Sequence, residues 1–286
     1  MRDIFKRAVL LCVSLSCCFF GGCSSRVFKA NGFEDPKVLP EKSRIGASLK
    51  DALFDPYIGI TTAALIAVAA SGKDKQISSR ATKSTPVFGS IENARTASDI
   101  FVVTSAGIAA AAYFVKYFPL DEAADRGCPL QTEFGIPPNL YAPVAAAEAA
   151  VVSGALTLGT TEVLKRTTRR LRPDSTNTLS FPSAHTAAAA AANGYSIRTI
   201  SGMSLPKTYS YPVYGTLTAL TLATAWGRVE GAKHYPTDIL AGALIGTFLV
   251  NASYKAFFAP YRYVGNFNMR IAPDGAGAAL TAMFVF

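Results

Sequence analysis

Six long apolar stretches, each followed by a turn-rich break, constrain the fold of this chain more than any other feature. They run over residues 57–71, 97–118, 140–165, 183–200, 213–226 and 237–258. Each is long enough for a helix and too long for a typical strand. Alanine, the strongest helix former, dominates several of them. The breaks carry loop chemistry: 71–95 is polar and charged, while 119–138 and 201–212 are rich in Pro, Gly, Ser and Tyr. The expectation is an all-α fold, a single bundle of about six core helices occupying residues 51–260.

A membrane span needs about 20 mostly apolar residues. The stretch 97–118 comes close but carries Asp99, Thr104 and Ser105; 140–165 contains Glu148, and 213–226 has four threonines. Fully buried helices of a globular bundle are also apolar all round. The reading therefore leans toward a globular body, with an integral inner-membrane protein as the alternative.

The two ends of the chain differ from its middle. Arg2, Lys6 and Arg7 precede an apolar run from Ala8 to Phe20, and Gly21-Gly22 then leads into Cys23. Residues 1–22 read as a signal peptide. They resemble a bacterial lipoprotein signal, which implies acylation of Cys23; Phe20 departs from the aliphatic residue usual there. Ser24 resembles the signal for transfer to an outer membrane, so the body is expected at its periplasmic face. Residues 23–50, polar and rich in Pro and Lys, read as a tether. Cys12, Cys17 and Cys18 fall in the signal, and Cys128 is alone in the mature body, so no internal disulfide is expected. Over 261–286 apolar residues alternate on both sides of Pro273-Asp274-Gly275, the pattern of a C-terminal β-hairpin.

Lysine and arginine exceed aspartate and glutamate by 28 to 19, a net charge of +9, which favours anionic partners. Much of that charge lies in one run, Lys165 to Arg172. Lys165 and Arg172 are seven apart, two helical turns, and so share a face ahead of Pro173. Two cations on one face can grip one anion, and arginine adds a planar fork matched to phosphate oxygens. Arg166, Arg169 and Arg170 fall on other faces and are expected in solvent or near lipid headgroups.

The chain has only two histidines, and both lie in polar clusters. Ser183 is placed to N-cap a helix beginning Ala184-His185, whose first N–H groups and positive dipole end make an anion site. His185 in that turn is placed to protonate a leaving alkoxide. Pro236 suits the first position of another helix, with Asp238 in its first turn. His234 is four residues before Asp238, close enough for the carboxylate to bind one ring nitrogen and leave the other as a nucleophile. Arg228 adds a cation from the preceding helix. A lone histidine is more often structural, and a basic run more often a solvated surface; here all of them fall on one pattern.

That pattern is Lys-x6-Arg-Pro from Lys165, Pro-Ser-Ala-His from Pro182, and Arg-x5-His-x3-Asp from Arg228. It resembles the type 2 phosphatidic acid phosphatase (PAP2) superfamily, which includes lipid phosphatases, class A acid phosphatases and vanadium haloperoxidases. Two positions depart from the pattern: Ala184 replaces the usual glycine, and Gly227 a frequent serine. The resemblance implies an all-helical core and a metal-independent phosphatase acting on a monoester or pyrophosphate. In it His234, His185 and Asp238 are catalytic, and Lys165, Arg172, Ser183, Ala184 and Arg228 bind phosphate. His234 forms a phosphohistidine, Asp238 orients it and His185 protonates the leaving group. No cofactor is implied, and vanadate is expected to bind as a phosphate mimic. The expected partners are a phosphorylated lipid or small phosphate ester and a membrane reached through the lipid anchor, with no nucleic acid. A vanadium-dependent haloperoxidase and a non-catalytic envelope protein that binds anionic lipid stay open as alternatives.

Overall fold

The computed structural model describes residues 42–117, 141–203 and 205–258, which form eight helices. In chain order these are α1 (Lys42–Leu53), α2 (Pro56–Ser71), α3 (Asp74–Ser84), α4 (Ile91–Tyr117), α5 (Tyr141–Thr168), α6 (Ala184–Ser201), α7 (Lys207–Glu230) and α8 (Pro236–Phe258). No strand occurs among the described residues. The signal, Cys23, Cys128 and the hairpin of the tail lie outside them. Helices α2 and α4 to α8 overlap the six apolar stretches, but the described residues hold eight helices rather than about six. Two more were not anticipated: α1 starts inside the expected tether, and α3 occupies the break at 71–95.

Local chemistry sets the helix ends. Asp55 caps α2 by accepting the Tyr57 N–H at 3.0 Å, Pro56 occupies its first turn, and Gly72 closes it with φ 64°. Ser183 caps α6, accepting the Thr186 N–H at 3.4 Å. Pro212 lies inside α7, which begins at Lys207 rather than after the proline.

Helices α6 and α8 form the centre, with α4, α5 and α7 around α6, and α1, α2 and α5 against α8. Their approach is very close. A Cβ on Gly242 would lie 2.4 Å from the Ser183 carbonyl oxygen, and one on Gly246 would lie 2.1 Å from that of Ala187. Only glycine fits at either position, as in small-residue helix contacts generally. This contact sets the first turns of α6 and α8 side by side, and the Ser183 N–H donates to the Asp238 carbonyl at 2.9 Å.

The interior is built mainly from alanine, with Ala187, Ala189, Ala190 and Ala191 buried on α6 and Ala142, Ala145, Ala146 and Ala149 on α5. Larger apolar side chains point outward, among them Ile60, Ile66, Ile100, Val103, Val115, Leu156, Val163 and Leu222. Small residues inside and large ones outside invert the soluble arrangement and suit a lipid surround. Three helices, α4, α5 and α8, are long and apolar enough to cross a membrane; α1 and α2, bent by 53° at their junction, give a fourth if taken as one span. The chain is a membrane-associated protein, and its helical flanks favour the integral alternative over a globular body. Asp99 does not interrupt α4 as expected: it sits near the start of that helix and is engaged in polar contacts.

Candidate active site

Four helix ends and the early part of a fifth helix converge at one end of the bundle. The last turns of α5 and α7 bring Lys165 and Arg228, the first turns of α6 and α8 bring His185 and Asp238, and the early part of α4 brings Asp99. His234 stands in the short link between α7 and α8. The residues expected to be catalytic or to bind phosphate are gathered here, while Cys23, expected to be acylated, lies outside the described residues.

His234 is 2% exposed. Its Nδ1 lies 2.6 Å from the Ser180 carbonyl oxygen and 3.6 Å from Asp238 Oδ2. A carbonyl only accepts, so Nδ1 carries the hydrogen and Nε2 keeps its lone pair. The sequence reading gave the orienting bond to Asp238; the carbonyl makes it, with the carboxylate just behind. Burial, helped by the charges of Lys165 and Arg228 and opposed by Asp238, lowers the His234 pKa to about 3. The ring is neutral at ordinary pH, as a nucleophile must be.

Asp238 is fully buried, and both of its oxygens are used. Oδ2 accepts from the Ser180 hydroxyl at 2.5 Å and the Tyr235 N–H at 2.9 Å, and Oδ1 accepts from Arg170 Nη1 at 2.7 Å. Arg170 was expected in solvent. Instead its fork bridges Asp238 to Asp74 on α3, and the guanidinium stacks 4.2 Å from the Tyr235 ring.

His185 Nε2 lies 3.0 Å from Asp99 Oδ1, which Arg228 Nη1 approaches to 3.2 Å. Burial lowers the His185 pKa to about 4; Arg228 and Lys165 add to this, while Asp99 pulls the other way. Lys165 and Arg228 therefore act on both rings, which ties the three clusters into one site. Lys165 Nζ donates to the Leu179 carbonyl at 2.7 Å, which aims the ammonium.

Arg172 Nε and Arg228 Nε are buried and have no hydrogen-bond partner among the described residues. Buried donors are ordinarily satisfied, so two orphaned guanidinium N–H groups in one site call for an anion. The first turn of α6 adds to this. Ser183 answers the N–H groups of Thr186 and Ala187, which leaves those of Ala184 and His185 at the positive end of the helix. The Ser183 hydroxyl itself works as the cap, accepting from Thr186 Oγ1 at 3.0 Å. Gly227 also gains an explanation: a Cβ there would lie 2.8 Å from the Ala94 carbonyl oxygen, so serine would push α4 away from α7.

Sequence reasoning missed Asp99, Arg170, Ser180 and Asp74. Asp99 carried a signal, since a lone acid in an apolar helix marks function more often than interruption. The partners of Arg170 are 68 and 96 residues away, so no local pattern reveals them.

Residues 146–262 match the model of the PAP2 superfamily, a stretch that holds all three clusters. Among solved structures the chain is similar to a transmembrane PAP2-type phosphatidylglycerolphosphate phosphatase from Bacillus subtilis. The two are 19% identical with a TM-score of 0.46, and the match covers 71% of this chain and 92% of that one. No curated protein matches the chain.

Proposed function

We propose that this protein is a membrane phosphatase that cleaves a phosphate monoester or pyrophosphate through a phosphohistidine. The observation that carries the reading is the pair of buried, unpartnered guanidinium donors, Arg172 Nε and Arg228 Nε, in one site with two histidines. Lys165, Arg172, Arg228 and the opening N–H groups of α6 bind the phosphoryl oxygens and stabilise the charge of the transition state. His234 Nε2 attacks phosphorus while the Ser180 carbonyl holds Nδ1–H and Asp238 balances the developing positive charge. His185, protonated when the bound phosphate dianion offsets Lys165 and Arg228 and Asp99 supports the imidazolium, gives that proton to the departing oxygen and is left neutral. Water, deprotonated by His185, then attacks the phosphorus of the phosphohistidine; the N–P bond breaks and His234 is restored.

A phosphorylated lipid is the substrate class this site fits best. Exposed apolar side chains stand beside two of the phosphate-binding residues in the chain: Leu171 next to Arg172, and Val163 two before Lys165. The body is proposed to be integral to the cell envelope membrane, with Cys23 as its acylation site.

The test is phosphate release by purified protein from phosphatidate, prenyl diphosphate and a water-soluble ester, with a chelator present. Turnover is expected under chelation and is expected to vanish in His234→Ala. Activity that returns only with an added divalent metal would overturn the mechanism. Equal anionic-lipid binding by both proteins with turnover in neither would favour a binding role instead.

A further inference from the structure

Arg170 lies within the first cluster and is neither of the two cations matched there, yet it makes more side-chain hydrogen bonds than Lys165, Arg172 or Arg228. Its Nη1 donates to Asp238 Oδ1 at 2.7 Å and to Thr237 Oγ1 at 2.7 Å, and its Nη2 donates to Asp74 Oδ2. Asp74 opens α3, where its carboxylate also accepts the Thr237 N–H at 2.9 Å and the Thr237 hydroxyl at 2.6 Å. One guanidinium thus separates two carboxylates that converge on the first turn of α8. The Tyr235 ring covers its face.

We propose that Arg170 is a positioning residue: it holds Asp238 with Oδ2 turned toward His234, and it docks α3 onto that pair. This rests on the reading of His234 as nucleophile, and the geometry gives it a distinct role from the phosphate ligands. All three of its polar partners are protein oxygens, so three of its five N–H donors are already committed within the protein. The other groups around Asp238 cannot replace it. Ser180 and the Tyr235 N–H occupy Oδ2 and are neutral, while Lys165 and Arg172 act on Asp238 through space without a hydrogen bond to it, and Lys165 and Arg228 act on the His234 ring. Without Arg170, the Asp74 and Asp238 carboxylates face one another across Thr237 with no cation between them. Asp238 then keeps only its two Oδ2 hydrogen bonds, with Oδ1 unheld, and uncompensated negative charge sits behind His234.

Two measurements test this, one of them independent of turnover. Arg170→Met is expected to lower kcat by about 10- to 100-fold, the size of one or two charge-assisted hydrogen bonds, with KM and vanadate affinity within about twofold of wild type. Arg170→Lys, which reaches only one carboxylate, is expected to recover part of the kcat. Because the chain has only two histidines, imidazole 15N spectra resolve each ring, with His234→Gln as the assignment control. In wild type His234 is expected to be the Nδ1–H tautomer and neutral at pH 5. In Arg170→Met and Arg170→Lys its protonation midpoint is expected to move up, most in Met. A raised KM with unchanged kcat would make Arg170 a phosphate ligand and overturn the proposal, as would a His234 titration that matches wild type in both folded variants. If wild type turns over no phosphate substrate, the phosphatase reading fails, while the spectra still decide whether Arg170 controls His234.

Discussion

At the scale of single residues, the two histidines have different surroundings and so different duties. His234 is sealed, with Nδ1 held by a carbonyl, whereas His185 is partly open and paired with Asp99. His185→Ala is expected to cost about a hundred- to ten-thousand-fold on alkyl phosphates and much less on p-nitrophenyl phosphate, whose leaving group needs little protonation. Equal losses on both would show that the acid lies elsewhere. Asp99 supports the protonated form of His185, against burial and two nearby cations. Asp99→Asn removes that support, so the pKa of His185 falls further. The general acid is then lost at lower pH, and the basic limb of the kcat/KM profile is expected to move toward acid. A bound phosphate dianion offsets the cations, so in wild type the basic limb of kcat should lie at higher pH than that of kcat/KM. Profiles of both variants measured from pH 3 to 9 check this, and an unmoved limb in Asp99→Asn would remove Asp99 from the mechanism.

At the scale of elements, the site depends on how closely α8 lies on α6. Gly246→Ala pushes a methyl group into the Ala187 carbonyl, a contact that backbone must relieve. Overpacking of this kind costs about 1–3 kcal/mol, and here the displaced segment also carries Ser183 and His185. Both thermal stability and turnover are expected to fall. Gly59→Ala, on α2 with open space around its Cβ position, is the control and is expected to be neutral or slightly stabilising. Thermal unfolding in detergent compares the two, and equal shifts would mean that α6 and α8 do not touch as described.

At the scale of the whole molecule, the bundle is polarised. The site lies at one end, and Asp55, Arg198 and Asn251 tie α2, α6 and α8 together at the other, with Arg198 Nη2 2.7 Å from Asp55 and 2.9 Å from Asn251. A helical body that crosses a membrane puts these ends on opposite sides. A globular body on a lipid tether puts both on the same side. Cysteines at exposed Lys83, on the site end, and exposed Lys207, at the far end of α7, distinguish the two. An impermeant maleimide applied to intact and then opened cells is expected to label them from opposite sides. Labelling of both from one side would restore the tethered globular body.

The helical class and the motif residues that meet at the candidate site were legible in the sequence. Helix ends are fixed by local capping at Asp55, Ser183 and Pro236, and the spacings of Lys165–Arg172 and His234–Asp238 follow from helical geometry, so both are legible in a linear string. Tertiary structure alone decided three things. It turned the bulky apolar residues outward and the alanines inward, because helix length carries no information about which face is buried. It brought Asp99 to His185 and Arg228, and Arg170 to Asp74 and Asp238, because ion pairs between distant segments leave no local period. And it moved the bond that orients His234 from a carboxylate four residues on to the backbone of Ser180, because a carbonyl is present at every residue and only packing selects which one a ring meets.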